Sequence, residues 1–293
     1  MSNEESTGDV AARVRTFYES LPFNQHDSAK DAARSIRAHD LESSYPDLHE
    51  LLASGRISSV LEIGCGAGWL AATIAHHYGE QHGVDVAAID FCARALSRAR
   101  IVAEELRVGD RISFVQSDLF EYERDEPVDL VISLGVLHHT RDCEAAFRHV
   151  QRFARDHVYI GLYHAPGRLP FLEMFRAILE SEGEDSAFER YRQLDGIHAG
   201  DSTLVRSWFR DQVLHPHETQ HTLREVHAWL ESCELQLDST SINRFAKIQD
   251  LDEVFALEDA FAERSRQSNL VEGRYFPGFF TLLASRPQAQ RAR

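Results

Sequence analysis

The sequence predicts an α/β fold, with helices on both faces of a doubly wound, mostly parallel sheet. Apolar runs of strand length alternate with helical patterns from Ile57 to His164, and this alternation is typical of parallel sheets. The runs are continuously apolar, as expected of strands that are buried on both faces. The predicted strands cover residues 59–63, 82–86, 111–116, 128–133 and 157–161.

Helical patterns fill the spaces between these strands. The predicted core helices cover residues 69–78, 88–106 and 143–154. Helices are also predicted ahead of the sheet, at residues 10–20, 28–39 and 45–53. This N-terminal part contains no recognisable catalytic motif. We interpret residues 1–55 as a helical cover that precedes a core of residues 56–164.

The alternation of strands and helices breaks after His164. Helices are predicted at residues 169–181, 186–194 and 204–212. We interpret residues 165–222 as an insertion that builds a substrate pocket. Residues 223–286 are predicted to complete the core, with a helix after Thr222, a strand near residues 235–237, a helix at 251–266 and a last strand at 279–284. Residues 287–293 are a predicted tail.

Length, composition and charge limit the classes of function. A chain of 293 residues with 43% hydrophobic residues is large enough to bury a core, and its apolar runs are too short to span a bilayer. The net charge of −16 disfavours nucleic acid and anionic membranes as partners. The four cysteines show no paired spacing and the N-terminus lacks a signal-peptide pattern, so a cytoplasmic location is expected. The oligomeric state stays open.

The first predicted strand ends in three glycines at alternate positions, Gly64, Gly66 and Gly68, and a helical pattern begins at Trp69. Glycine suits such a turn because a side chain would block the approach of a ligand to the backbone. The start of the helix adds free N–H groups that favour an anionic group. The dinucleotide fingerprint places its third glycine where this chain has Trp69. A nicotinamide cofactor is therefore the weaker of two interpretations of this turn.

Three further features are expected at the same edge of the sheet, because the carboxyl ends of parallel strands meet there. Asp85 is predicted to end the second strand, where a carboxylate can accept hydrogen bonds from both hydroxyls of a ribose. Asp118 and Leu119 follow the third strand. The fourth strand, which contains Ser133, leads into the loop 135–140.

Together these four features resemble the class I, Rossmann-like methyltransferases that use S-adenosyl-L-methionine. The resemblance implies this cofactor, with the three glycines along its methionine part, Asp85 at the ribose and Asp118 at the adenine amino group. Glu62 is expected to orient the glycine turn by accepting backbone N–H bonds. The cofactor-binding residues that we expect are Glu62, Gly64, Gly66, Gly68, Asp85, Val86, Asp118, Leu119 and Ser133.

Residues 130–221 also resemble one subgroup of these enzymes. The shared segments are Leu137-His138-His139, Gly161-Leu162-Tyr163, Gly167-Arg168-Leu169, Trp208-Phe209-Arg210-Asp211-Gln212 and His215-Pro216-His217-Glu218. The subgroup implies no single substrate. The resemblance therefore bears on the fold and the cofactor, and leaves the acceptor of the methyl group open.

Side chains past the fourth and fifth strands are candidates for proton removal. His138 and His139 follow the fourth strand, and since adjacent side chains point in different directions, at most one is expected to reach the acceptor. Tyr163 and His164 occupy the equivalent place after the fifth strand, where a catalytic role and plain packing both stay open. A general base is needed only if the acceptor must lose a proton, and histidine suits that role near neutral pH.

Four residues are candidates for holding the acceptor. Arg168 and Arg206 are able to anchor a carboxylate or phosphate in bidentate fashion, although solvated surface arginines are the commoner case. Trp208 lies in the predicted insertion. Tyr18 lies in an N-terminal helix, and in the resembled fold such helices often lie over the cofactor and substrate mouth. Plain packing of Tyr18 stays an alternative.

Residues 217–221 match the His-Glu-x-x-His pattern of zinc proteases. That pattern needs a continuous helix, which places both rings on one face. Here Pro216 precedes the pattern, and a capping box formed by Thr222 and Glu225 predicts a helix that starts after it. We therefore expect no metal site.

The sequence thus predicts a methyltransferase that transfers a methyl group from S-adenosylmethionine to an oxygen or nitrogen of a small, polar or anionic molecule. Two alternatives stay open. One is an NAD(P)-dependent oxidoreductase. The other is a methyltransferase-like protein that binds the cofactor without catalysis or modifies a protein partner.

Overall fold

The protein is described by a computed structural model that covers residues 7–196 and 200–287. Within these residues, seven strands form one sheet in the order β3-β2-β1-β4-β5-β7-β6. The strands are β1 (Ser59–Ile63), β2 (Asp85–Asp90), β3 (Ile112–Gln116), β4 (Val128–Leu134), β5 (Ala154–Tyr163), β6 (Gln236–Thr240) and β7 (Phe279–Ser285). The first five pair in parallel, whereas β7 is antiparallel to both of its neighbours. The predicted mostly parallel α/β sheet is confirmed.

Helices cover the two faces of the sheet, and further helices precede β1 and follow β5 in the chain. They are α1 (Thr7–Ser20), α2 (Ala29–Ala38), α3 (Leu41–Ser44), α4 (Pro46–Ala53), α5 (Trp69–His82), α6 (Ala93–Leu106), α7 (Cys143–Val150), α8 (Ala165–Glu182), α9 (Glu184–Leu194), α10 (Ser202–Val213), α11 (Leu223–Ser232), α12 (Leu251–Leu257) and α13 (Phe261–Arg266). Side chains cap the N-termini of several helices by accepting hydrogen bonds from backbone N–H groups. Asp201 accepts a hydrogen bond from the N–H of Leu204 at the start of α10, and Thr222 accepts one from Glu225 at the start of α11.

Two apolar clusters fill the two faces of the sheet. One joins the strands to α2, α4, α5 and α6, and the other joins them to α7, α11, α12 and α13. A third cluster lies among α8, α9 and α10, around Phe171, Phe175, Tyr191 and Phe209. The segment predicted as an insertion is therefore helical and has an apolar core of its own.

The second strand differs from its prediction at residues 82–86. Helix α5 continues to His82 and ends at Gly83, which has a positive φ of 70°. The strand therefore starts at Asp85 and ends at Asp90, in parallel register with β1. Ala87 and Ala88 have weak strand propensity, and the prediction assigned Ala88 to the following helix. Tertiary pairing with β1 and β3 overrides that propensity.

The strand order reverses between β1 and β4, because β2 and β3 lie on one side of β1 and β5 lies beyond β4. Ligands of doubly wound folds bind at the carboxyl ends of the strands at such a point. In the described residues, no helix has the length and hydropathy needed to cross a membrane. The division into units at residues 55, 164, 222 and 286 stays a prediction, and its tail lies outside the described part from residue 288 onward.

Candidate active site

A cavity of about 260 Å³ opens at the carboxyl ends of β1, β2, β3 and β4. The turns that follow these strands line it from the sheet side, and helix α1 lines it from above. Its polar and glycine lining comprises Arg15, Tyr18, Gly64, Gly66, Asp90, Ser117, Asp118, Gly135, His139, Thr140 and Arg141. The remaining lining is mostly aliphatic and aromatic, so the cavity is apolar with a few polar groups, as ligand sites usually are.

The glycine turn after β1 meets the cavity at Gly64 and Gly66. All three glycines have positive φ, which is 71° at Gly64, 52° at Gly66 and 77° at Gly68. A Cβ on Gly66 would meet no protein atom within 4 Å, so its missing side chain leaves room for a ligand. A Cβ on Gly68 would lie 2.6 Å from the Cβ of Ala99. Gly68 therefore permits the packing of α5 against α6 and lies outside the cavity, contrary to the prediction.

Asp90, rather than Asp85, is the carboxylate at the end of the second strand. Its Oδ2 accepts a hydrogen bond from the N–H of Gly66 at 2.8 Å, and its Oδ1 accepts one from the N–H of Cys92 at 2.8 Å. Burial raises the pKa of Asp90, although the two amides act against that rise. Asp90 thus ties the glycine turn to β2 at the wall of the cavity.

Asp85 and Val86 were predicted to hold the ribose, and both predictions are wrong. Asp85 starts β2 at the opposite edge of the sheet, where its side chain is 65% exposed and pairs with Arg111 at 3.1 Å. Val86 is buried in the core of the sheet. Their error follows from the shifted strand, because a strand predicted to end at residue 86 instead of residue 90 has the wrong acid near its end. The sequence signal for Asp90 was the apolar run that continues through Ile89.

Glu62 does not orient the glycine turn in the expected way. The N–H groups of Gly64 and Cys65 both donate to the carbonyl of Ile89 at 2.8 and 2.9 Å, and Gly66 donates to Asp90. Burial raises the pKa of Glu62 to about 8, the Ala71 amide in α5 opposes this rise, and Asp90 adds to it. The turn is therefore held by β2.

The turn after β3 contributes to the cavity. Asp118 and Leu119 both line it. Asp118 also accepts a hydrogen bond from the N–H of Phe120 at 3.0 Å and lies 3.8 Å from Arg15 of α1. Ser133 was expected to face the cofactor, and this prediction is wrong. Its side chain is fully buried and its hydroxyl lies 3.5 Å from the carbonyl of Ile63.

The two adjacent histidines after β4 point to different places. They lie in a 3₁₀ turn, Leu137–His139. His139 lines the cavity, and its Nδ1 donates to the carbonyl of His217 at 3.0 Å. His138 is fully buried beneath it, and its Nδ1 accepts the N–H of Tyr163 at 3.3 Å. Burial lowers the pKa of both rings, well below the ordinary value in His138.

The residues that end β5 are held away from the cavity. His164 is fully buried, with its Nε2 at 2.8 Å from Glu258 and its ring packed edge-on against Phe261. Tyr163 is buried against the ring of His138, with centroids 4.0 Å apart, and its hydroxyl accepts a hydrogen bond from Gln212 at 2.8 Å. Both were candidate catalytic residues, and the structure places them in the packing layer behind the site.

Arg168 was predicted to anchor the acceptor, and it is instead a buried structural residue. Its guanidinium binds both oxygens of Glu218 at 2.9 and 2.7 Å and donates to the carbonyl of Gln212 at 2.7 Å. It also stacks on the ring of Tyr163, 3.8 Å from the centroid. These contacts hold the segment after α10 against α8. The positive charge of Arg168 is therefore paired with Glu218 and not with a ligand.

Arg206 and Trp208 also lie apart from the cavity. Arg206 is exposed, with its guanidinium 4.2 Å from the ring centroid of Phe188. Trp208 packs on Phe23 with centroids 4.7 Å apart and donates from its indole to Asn24 at 3.1 Å. The insertion thus docks on the N-terminal segment through these contacts, and the prediction that both residues bind the acceptor is not supported by their placement.

Tyr18, a residue of the N-terminal cover, lines the cavity. Its hydroxyl donates to Asp211 of α10 at 2.7 Å. Burial, with the neighbouring carboxylate, raises the pKa of Tyr18 well above its ordinary value. Its binding to an acceptor stays a prediction.

Asp211 and His215 were missed as site residues by the sequence analysis. Three potential metal-ligating atoms lie within 4.8 Å of one another: a ring nitrogen of His139, a ring nitrogen of His215 and a carboxylate oxygen of Asp211. The rings of His139 and His215 stack with centroids 3.6 Å apart. Both residues lie in segments that carry the subgroup resemblance, but they straddle the end of α10, and no local pattern connects them with His139.

The His-Glu-x-x-His pattern at residues 217–221 is not helical. His217 contacts the carbonyl of Thr140 at 3.1 Å, Glu218 binds Arg168, and His221 lies 3.1 Å from Glu225. Helix α11 begins after the pattern, as the capping box predicted. The side chains therefore diverge, and the zinc-protease geometry is excluded.

Comparison with known proteins adds an independent observation. Residues 56–189 match the family model of a methyltransferase domain. A ubiquinone biosynthesis O-methyltransferase of Pectobacterium carotovorum subsp. carotovorum (strain PC1) is 32% identical over 127 residues, which cover 39% of this chain and 50% of that protein. A release factor glutamine methyltransferase of Rhodopirellula baltica is 36% identical over 85 residues, or 27% of this chain and 28% of that protein. This chain therefore spans half or less of the length of these two relatives.

A solved structure is similar over the length of the chain. The crystal structure of magnesium protoporphyrin IX methyltransferase from Synechocystis PCC 6803 with bound SAM has a TM-score of 0.53. It covers 98% of this chain and 100% of its own, at 16% sequence identity. At this identity the similarity concerns the fold, and it agrees with the sheet described above.

Proposed function

Since residues 56–189 belong to the class I, S-adenosylmethionine-dependent methyltransferase family, we propose that this protein transfers the methyl group of that cofactor to an oxygen or nitrogen of a small molecule. The observation that carries the proposal is the cavity at the β1/β4 reversal, where Gly66 offers room and Asp90 offers a carboxylate. S-adenosylmethionine is the cofactor of this family. The whole chain's activity and its acceptor rest on this proposal.

The residues present fit such a cofactor. Gly64 and Gly66 leave the backbone open beside the cavity, which suits the methionine part. The Asp90 carboxylate uses one hydrogen bond on each oxygen, so a second lone pair of each stays available for a ribose hydroxyl. Asp118 and Leu119 line the part of the cavity that the adenine would occupy. Asp90 thus takes the role that the sequence analysis gave to Asp85.

Methyl transfer from a sulfonium is an in-line displacement, so the protein's main tasks are to orient the acceptor and exclude water. His139 is our candidate for the general base. Because a carbonyl only accepts, the contact with His217 fixes the proton of His139 on Nδ1 and leaves a lone pair on Nε2. Burial lowers the pKa of this ring, which keeps it neutral and able to accept a proton at pH 7.

The acceptor class is narrower than the sequence analysis predicted in one respect. An anionic acceptor was expected because an arginine such as Arg168 or Arg206 is able to anchor a carboxylate or phosphate. Arg168 is committed to Glu218, and Arg206 is exposed and packs on Phe188. The cavity lining is mostly apolar. We therefore propose a small acceptor with an apolar body; the cations that line the cavity are Arg15, which lies 3.8 Å from Asp118, and Arg141, rather than the two predicted arginines.

Calorimetric titration with S-adenosylmethionine and with NAD tests the cofactor. We expect binding of the first and none of the second, together with a rise in melting temperature. Release of S-adenosylhomocysteine on incubation with a small-molecule extract then tests the activity. Binding of NAD in preference to S-adenosylmethionine would overturn the proposal. Cofactor binding without turnover over a broad acceptor set would favour the non-catalytic alternative.

A further inference from the structure

The backbone of His217 contacts two stacked imidazoles in opposite ways. Its carbonyl oxygen lies 3.0 Å from Nδ1 of His139, and its N–H donates to Nδ1 of His215 at 3.2 Å. A carbonyl only accepts and an amide N–H only donates. The proton of neutral His139 therefore lies on Nδ1, whereas the proton of neutral His215 lies on Nε2. One residue thus fixes the two rings in opposite tautomers.

The two free ends of these rings form a donor–acceptor pair. Nε2 of His139 presents a lone pair, and Nε2 of His215 presents an N–H. The ring centroids are 3.6 Å apart at an angle of 30°. Within the described residues, both Nε2 atoms are buried and have no hydrogen-bond partner. Buried polar groups are normally partnered, so this pair is expected to bind an added group.

The neighbouring carboxylate is already satisfied by protein donors. Asp211 accepts from the hydroxyl of Tyr18 at 2.7 Å on Oδ1 and from Nε2 of Gln212 at 3.0 Å on Oδ2. It lies close to both histidines. Its role is to hold Tyr18 and Gln212 in place beside the pair, and its negative charge also favours the protonated form of His139.

A hydroxyl group satisfies the pair with one atom. It donates its proton to His139, accepts the N–H of His215, and keeps a second lone pair for attack on the methyl group. A neutral amine has one lone pair, and accepting the N–H of His215 would consume it. A carboxylate and a thiolate have no proton to donate, a neutral thiol is only a weak donor and a weak acceptor, and an ammonium has no lone pair. A divalent metal needs a lone pair on both rings, and the His215 tautomer withholds one.

We propose that the methyl acceptor is a hydroxyl group that binds between Nε2 of His139 and Nε2 of His215. This inference rests on the proposed methyltransferase function. The O–H proton passes to Nε2 of His139, the oxygen–methyl bond forms and the sulfur–methyl bond breaks. Positive charge thereby moves from the sulfonium to the imidazolium of His139, which returns its proton to solvent. The product is a methyl ether.

Access to the pair runs past helix α1. Tyr18 lines the cavity together with His139, and its ring centroid lies 6.5 Å from His139 and 5.5 Å from His215. Phe17 packs edge-on against His215 with centroids 5.0 Å apart. Both Nε2 atoms are covered, so an acceptor that enters from the cavity has to pass the side chain of Tyr18. His215 is then the residue that selects a hydroxyl.

The first test needs no acceptor. Long-range proton–nitrogen correlation spectra of the full-length protein at pH 7 report the tautomer of each histidine, with His139→Gln and His215→Gln used for assignment. We expect the Nδ1–H form for His139 and the Nε2–H form for His215. Finding His215 in the Nδ1–H form, or one equivalent of tightly held zinc that His215→Leu removes, would overturn the proposal.

The second test identifies the nucleophile. The protein is incubated with S-adenosylmethionine that carries a ¹³C-methyl group and with a small-molecule extract, and labelled carbons are classed by chemical shift. We expect O-methyl ethers, and N-methyl, S-methyl or methyl-ester products would overturn the inference while leaving the proposed function intact. If the protein fails to bind S-adenosylmethionine in a titration, the proposed function itself fails. In the absence of any labelled product, the tautomer measurement decides alone.

A third test isolates the donor. With the hydroxyl acceptor found, His215→Leu should lower kcat/KM roughly 3- to 30-fold, the worth of one or two lost hydrogen bonds, and His215→Gln should restore part of it through its amide N–H. The affinity for S-adenosylmethionine should not change. His227→Gln on α11 serves as the matched control. Equal activity of the Leu and Gln variants would show that His215 acts only through packing.

Discussion

The two ends of the cavity are built in different ways. The end proposed to bind the cofactor, called here the cofactor end, consists of backbone turns, and its key contact joins Gly66 and Asp90, which are 24 residues apart. The end proposed to bind the acceptor, called here the acceptor end, consists of side chains from distant segments. There Tyr18 contacts Asp211 across 193 residues, and His139 contacts His217 across 78. The first end follows from local strand–turn–helix geometry, whereas the second exists only after the chain has folded.

Burial acts on both ends with opposite chemical results. It raises the pKa of Asp90 at the cofactor end and lowers that of His139 at the acceptor end, because a low-dielectric surrounding disfavours charge in both cases. Changes at the first end should therefore affect cofactor binding, and changes at the second should affect the chemical step. The following predictions test whether the two effects separate.

The largest effect is expected from Gly66→Val. Valine would adopt a φ of 52° with strain and would place its side chain in the open space that the cofactor needs. Calorimetric titration should detect no S-adenosylmethionine binding in a protein that still unfolds cooperatively. Gly68→Ala is the contrast, because its Cβ would lie 2.6 Å from Ala99 and should lower the melting temperature. Unchanged affinity in Gly66→Val would remove the glycine turn from the cofactor site.

His139→Ala should lower kcat by roughly 10²–10⁴, the usual worth of a general base, with little change in cofactor affinity. His138→Asn is the control, because His138 lies behind the site and Asn keeps an acceptor for the N–H of Tyr163. In the wild type, kcat/KM should fall as pH drops through the His139 pKa, which burial places below 6.5. Equal losses in both variants would contradict the separation of the two histidines.

Asp90→Asn should weaken S-adenosylmethionine binding by about 1.5–3 kcal/mol, or roughly 10- to 150-fold, because the carboxylate loses its charge and one acceptor. Asp85→Asn should leave the affinity unchanged, since Asp85 is exposed at the opposite edge of the sheet. Titration of both variants at the same pH makes the comparison. The reverse ranking would restore Asp85 to the ribose site.

The smallest effect concerns stability in acid. Burial lowers the pKa of His138 well below 6.5, so below that value the unfolded chain binds a proton that the folded chain does not. Stability from this group is therefore lost as pH falls below about 6.5, by about 1.4 kcal/mol at pH 5.5. Denaturation of wild type and His138→Asn at pH 7.5 and 5.5 measures it. The difference in unfolding free energy should shift by this amount in favour of the variant.

Most of the cofactor end could be predicted from the sequence. The exception was the position of β2 along the chain. Gly64, Gly66, Asp118 and Leu119, which the sequence motifs singled out, line the cavity, and their binding of the cofactor stays a prediction. The error at Asp85 arose because weak strand formers occupy the middle of β2. Pairing with β1 and β3 stabilises that strand, and such pairing has no local signal.

The residues of the acceptor end could not be predicted from the sequence for a different reason. Arg168 was a candidate anchor for an anionic acceptor because of its residue type, yet it is fully buried, where Glu218 and the ring of Tyr163 compensate its charge. His164 was a candidate catalytic residue, yet Glu258 partners it inside the core. The burial of each side chain depends on a partner that is at least 50 residues away along the chain. The type of the residue alone was therefore misleading.

The sequence by itself determined the α/β class, the glycine turn and the family, because strand periodicity and turn chemistry act over a few neighbouring residues. Tertiary structure decided which acid ends β2, which histidine lines the cavity and which arginine is buried in an ion pair. It also decided the tautomers of His139 and His215, since both depend on the one backbone unit of His217. Proton positions and burial are properties of contacts, and contacts between distant segments exist only in the folded chain.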